Sequence, residues 1–160
     1  MPYAPRATGV PQALAELRQA LDVASYSLGA LDEAAADAPR AGGGWTRKQI
    51  LGHLVDSAAV NLHRFLRGQV QPGFALLYPQ DEFVELNAYA ERSFADVLAL
   101  WLAINRQILH VAERIPADKL DNLCGQGDGE DWTLRFRIVD YVGHMQHHLG
   151  QIRDFAGEPT

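Results

Sequence analysis

The segment YVGHMQHHLGQI, residues 141–152, places His144, His147 and His148 within five positions of an otherwise apolar run. These are half of the six histidines in the chain. Residues four apart on a helix share one face, with Cβ atoms about 6 Å apart. His144 and His148 are therefore spaced to bind one metal ion through paired imidazoles. His147 projects about 100° away from His148 and belongs to the surface or to an outer shell of the site. The competing reading is three ordinary histidines at the edge of a helix. Ile138, Val142, Met145, Leu149 and Ile152 form the apolar stripe of this helix, and His144 and His148 lie beside it with Tyr141 and Phe155 near them.

Two imidazoles make an incomplete site, because catalytic zinc usually takes three protein ligands and keeps one place open. The third ligand must come from another helix. His53, His63, His110 or a carboxylate are the candidates. His53 sits in QILGHLVDS, with Asp56 and Ser57 as its helical neighbours three and four residues on. Asp56 could accept the outer N–H of an imidazole or act as a base, against the alternative of a solvated helix residue. The helical wheel argues against His53: it falls almost opposite the apolar stripe of its helix, with Ser57, Val60 and Arg64. It becomes interior only if something covers that face, such as the long connection that follows or a second subunit.

Four helical segments must carry these residues. The first is expected over about 11–36, with Pro11 in its first turn and Leu14, Leu17, Leu21, Ala24 and Leu28 recurring at threes and fours. The glycines of AGGGW, residues 41–45, stop it. The second is expected from Thr46 as N-cap to about Arg67, with Gly68 as its stop. Residues 69–90 form one long connection with a possible short helix at 80–87; long connections in small domains often carry function. The third helix is expected from Ser93 to Arg114 and the fourth from Thr133 to about Phe155, with Gly157 and Pro159 beyond it. No alternating strand pattern is evident. The expected architecture is all-α, a four-helix bundle with its long connection between helices two and three, as a single domain over 1–160.

Composition narrows the function. The chain has 160 residues, 48% of them hydrophobic, and a formal net charge of −6. That is enough for a real core and argues against nucleic acid as a partner. No signal segment and no run of 18 apolar residues is found, so no membrane association is expected. The lone cysteine, Cys124, fits a reducing compartment, and a cytoplasmic location is expected. Neither ExxH nor HExxH occurs, which removes the ferritin-like di-iron and zincin readings.

GWTRKQILGHLVDSAAVNLHRF and TLRFRIVDYVGHMQHHLGQI together resemble the DinB/YfiT-like metalloenzyme superfamily, over roughly residues 44–156. The resemblance implies a four-helix bundle with an unusual helix order. It implies one divalent transition metal held by His53, His144 and His148, with Ni2+ or Zn2+ ahead of Fe2+ or Mn2+. It also implies a homodimer acting on a small molecule, as a hydrolase or as an S-transferase of a low-molecular-weight thiol. Arg64, Tyr78, Tyr89 and Trp132 are candidate substrate-binding residues; the bland alternatives are a surface ion pair for Arg64 and packing for the aromatics. Trp45 and Trp101 read as core, and Glu82 and Glu85 as surface. A non-enzymatic bundle that binds metal or a ligand, as a sensor or stress protein, is the competing functional class.

Overall fold

The computed structural model describes residues 7–40, 42–127 and 131–154. Four long helices dominate it: α1 (Val10–Gly29), α3 (Arg47–Val70), α5 (Phe94–Ala112) and α6 (Leu134–Arg153). Two short helices, α2 (Glu33–Asp37) and α4 (Gln80–Leu86), lie in the connections. α3 packs against α5 and α6, and α1 packs against the same two helices. Around the bundle the order is therefore α1, α5, α3, α6. The first and second long helices sit diagonally, as do the third and fourth, so the chain must cross the bundle end twice.

Local chemistry sets the helix starts. Thr46 caps α3 with a reciprocal box: its hydroxyl accepts from the Gln49 amide, and the Gln49 side chain accepts from the Thr46 amide. Ser93 and Thr133 cap α5 and α6 in the simpler way, each accepting from the amide three residues on. Gly42, Gly43 and Gly44 all take positive φ, near 90°, where residues with a Cβ are strained. That run, and not composition alone, releases the chain into α3.

Three expectations are corrected. The first helix is not continuous over 11–36. It ends at Gly29, and Asp32 starts α2 by accepting from the Ala35 amide at 2.7 Å. α2 then supplies Glu33 and Asp37 to the buried Lys48 ammonium of α3. Gly68 is not a stop. α3 runs through it to Val70, and a Cβ there would come within 2.8 Å of Leu134, so the glycine lets α6 start against α3. A small sheet also exists, with β1 (Phe74–Ala75) parallel to β2 (Leu123–Gly125) and β2 antiparallel to β3 (Asp131–Thr133). Strands of two and three residues are too short to show alternation in sequence. The expected end of the fourth helix near Phe155, with Gly157 and Pro159, lies outside the described residues.

Trp101, Ile108, Leu17, Leu51, Phe65, Ile138 and Met145 fill the centre. α5 is long and apolar enough to cross a membrane by length and composition, but here Val97, Trp101 and Ile108 are buried in the bundle. α3 is buried nearly all round. Its apolar face enters the core, and its other face, carrying His53, Ser57, Val60 and Arg64, is buried as well.

Candidate functional site

The covering of α3 explains the second buried face. α6 lies along one side of it, and the connection after α3 folds back along the other. Arg64 Nη2 donates to the Leu76 carbonyl at 2.7 Å, so Arg64 is an interior anchor for the connection and not a surface cation. Further on, Tyr89 Oη and Asn87 Nδ2 donate to Asp56 Oδ1 at 2.6 and 3.0 Å. Tyr89 packs closely on α3 because residue 52 is glycine; a Cβ there would come within 2.2 Å of its ring. The polar residues on the unexpected face of α3 thus hold down the segment that buries them.

Under this cover, His53 of α3 meets His144 and His148 of α6. One ring nitrogen from each lies within 4.8 Å of the others. The three ring centroids are 4.6–5.0 Å apart, each pair edge to face. His53 Nε2 and His144 Nε2 approach to 3.1 Å. Two nitrogens at about 2.05 Å from a tetrahedral ion lie about 3.3 Å apart, so this spacing fits a shared metal. The other candidates for the third ligand do not join them: His63 and His110 are exposed.

The outer nitrogens are also engaged. His53 Nδ1 lies 2.8 Å from Tyr78 Oη, and that hydroxyl donates to the His53 carbonyl at 3.2 Å. His148 Nδ1 lies 2.8 Å from Gln151 Oε1, and His144 Nδ1 lies 3.5 Å from Ser57 Oγ. An amide oxygen only accepts, so His148 carries its proton on Nδ1 and turns the Nε2 lone pair inward. Outer partners of this kind fix the tautomer and orientation of metal-binding imidazoles. Burial, with the neighbouring rings, holds the imidazoles neutral: His53 is brought down to about 3 and His144 to about 2, and His148 is lowered too, against the opposing effect of its hydrogen bond to Gln151. Neutral imidazole is the form that ligates a metal.

The other candidates separate clearly. Tyr78 reaches the histidines, stacked on His53 at 5.8 Å, with burial pushing its phenol well above the ordinary range. Asp56 is 5% exposed and is raised to about 6 by burial, against the lowering hydrogen bond from Tyr89. Its hydrogen bonds run to the connection, and Tyr78 stands at His53 Nδ1, one of the places open to Asp56 in the sequence. Tyr89 is an anchor on Asp56. Trp132 lies over the Arg137 guanidinium and edge to face with Phe136, and Arg137 donates to the Cys124 carbonyl. Glu82 and Glu85 are exposed. Phe155, expected near the pair, lies outside the described residues.

Two contributors escape the sequence reading. Trp45, assigned to the core, is half-buried with its ring 5.0 Å from His53. Gln151 bridges His148 and His147, its Nε2 lying 3.1 Å from His147 Nε2. Its spacing, three residues after His148, was the available signal. A groove of about 640 Å³ between α1 and α6, lined by Ala20, Ala24, Leu28, His147 and Gly150, touches this network only at His147; none of His53, His144 and His148 lines it.

Comparison with known proteins places this chain among relatives. The family model of the DinB superfamily matches residues 13–152. A Bacillus licheniformis protein, provisionally named a metal-dependent hydrolase, is 25% identical over 152 residues, covering 88% of this chain and 81% of its own. Among solved structures, YfiT from Bacillus subtilis is described as a probable metal-dependent hydrolase with an unusual four-helix bundle topology. It superposes with a TM-score of 0.84 at 22% identity, over 96% of this chain and 91% of its own. A mycothiol-dependent maleylpyruvate isomerase superposes with a TM-score of 0.73 at 12% identity, over 94% of this chain but 62% of its own. At these identities the structural likeness is one of fold.

Proposed function

The chain belongs to the DinB superfamily, and from that premise we propose that His53, His144 and His148 hold one divalent transition metal for hydrolysis of a small molecule. The observation that supports this most is the triad: three neutral imidazoles from two helices converge, each with a hydrogen-bonding atom at Nδ1. The set is nitrogen-only, which suits Zn2+ or Ni2+ and gives no preference between them. Held by these three histidines, such an ion would supply Lewis-acid chemistry.

The chain's own groups prepare that centre. Tyr78, Ser57 and Gln151 keep the outer protons in place, so that the Nε2 lone pairs face inward. Trp45 and Tyr78 flank the His53 ring and limit water on that side. Arg64 and Asp56 hold the connection that carries Tyr78. Asp56 stands in this proposal as an anchor, since its hydrogen bonds all go to the connection.

S-transfer of a low-molecular-weight thiol to an electrophile is the second reading, favoured by the mycothiol-dependent isomerase that shares the fold. The test is to load metal-depleted protein with Zn2+ or Ni2+ and assay activated esters and amides, then a free thiol with an electrophilic acceptor. Turnover of the first class that His148→Ala abolishes supports the hydrolase. Thiol consumption alone moves the assignment to the transferase. No turnover by fully loaded protein favours the non-enzymatic ligand-binding bundle.

A further inference from the structure

We infer that Tyr78 is a positioning residue that couples closure of the 71–93 connection to metal binding at the histidines; this rests on the three-histidine reading above. Tyr78 belongs to neither helix that carries the triad. It sits on the connection, between β1 and α4, and its hydroxyl meets His53 twice. The two contacts are satisfied together in one direction. The phenol has a single proton, and the His53 carbonyl can only accept, so donation to that carbonyl leaves the oxygen lone pairs to accept from Nδ1–H. That arrangement puts the proton of His53 on Nδ1 and the lone pair on Nε2, facing His144 at 3.1 Å. The reverse arrangement would put a proton on Nε2, where it would block the ligand position.

The connection has other fastenings that do not touch the histidines. Arg64 holds Leu76, β1 pairs with β2, and Tyr89 and Asn87 hold Asp56. Through Tyr78 the covering segment hydrogen-bonds to a triad imidazole. An interaction that favours both the metal-ready tautomer and the closed connection must work in both directions: closure strengthens metal binding, and metal strengthens closure by the same factor. Loss of an outer partner to a metal-binding histidine costs about 10–100-fold in affinity, which sets the expected size of the coupling.

The test compares full-length wild type, Tyr78→Phe and His148→Ala. Phenylalanine keeps the ring against His53 and Phe83 and removes only the hydroxyl. Zn2+ affinity is measured by competition with a chromophoric chelator, and backbone amide exchange over residues 74–89 is followed with and without Zn2+. We expect Tyr78→Phe to bind Zn2+ about 10–100-fold more weakly. We also expect Zn2+ to slow exchange over 74–89 in wild type and not in Tyr78→Phe. Equal urea midpoints for the two metal-free proteins would separate positioning from a general loss of structure. If His148→Ala loses Zn2+ but Tyr78→Phe binds as wild type does, or keeps the Zn2+-linked slowing, the inference is overturned and the triad stands. If wild type binds no Zn2+, the triad reading falls and takes the inference with it.

Discussion

Asp56→Asn tests the anchoring of the connection through a pH signature. In the folded chain the Asp56 carboxyl is raised from 3.8 to about 6 because burial disfavours its charge. Its Oδ1 accepts from Tyr89 and Asn87, whereas its buried Oδ2 has no hydrogen-bond partner among the described residues. The titratable groups facing it, Tyr78 and Tyr89, are phenols pushed up by burial, so they stay neutral through this range. A folded pKa above the unfolded one gives relative stability that is full below about 4 and is lost as pH rises through about 6. Raising the carboxyl from 3.8 to about 6 corresponds to about 3 kcal/mol at neutral pH. About half of that, ~1.5 kcal/mol, develops between pH 5 and 8, because the unfolded carboxyl is already ionised there. Asparagine keeps the acceptor for Tyr89 and cannot ionise; its unpaired amide adds a cost that does not depend on pH. Urea unfolding of metal-free wild type and Asp56→Asn across pH 5–8 should therefore show the variant gaining about 1–2 kcal/mol on wild type as pH rises. A flat difference, or one that moves the other way, would refute the raised carboxyl and the burial argument behind it.

The other predictions concern packing and outer-shell hydrogen bonds. Gly52→Ala pushes Tyr89 off α3 and should cost about 1–3 kcal/mol by denaturant unfolding, with much less lost when Tyr89→Ala is already present. Gln151→Leu removes the acceptor that fixes His148 and should weaken Zn2+ binding about 10–100-fold in a chelator competition. His147→Ala should leave bound metal nearly unchanged by elemental analysis, since its Nε2 faces Gln151 and not the triad.

Much of this was legible in the residues. Thr46, Ser93 and Thr133 announced three helix starts, and the spacing of His144 and His148 put both on one helix face. His53 was harder. A wheel drawn on α3 alone sends it to solvent, yet it is fully buried, because the cover comes from α6 and from a connection far along the chain. Two buried faces, one apolar and one polar, read as amphipathic when the partner of the polar face is unknown. The same gap hid Arg64 and Asp56, which reach a carbonyl and two side chains of the connection. The break at Asp32 was missed because the apolar spacing of α1 runs on into the alanines of α2. Gly68 read as a stop because its close approach to Leu134 is a tertiary fact. Trp45 carried no periodic signal and Gln151 only its spacing from His148; their parts in the site come from what stands beside them.

The central claim is that three imidazoles bind one ion, and metal content tests it most directly. The protein would be purified without a nickel column and measured by inductively coupled plasma mass spectrometry, alongside His53→Ala, His144→Ala and His148→Ala. The account predicts close to one Zn, Ni or Fe per chain in wild type and loss of that ion in each variant, with helical content kept. No metal in wild type after incubation with Zn2+ and Ni2+, or full occupancy in the variants, would contradict it.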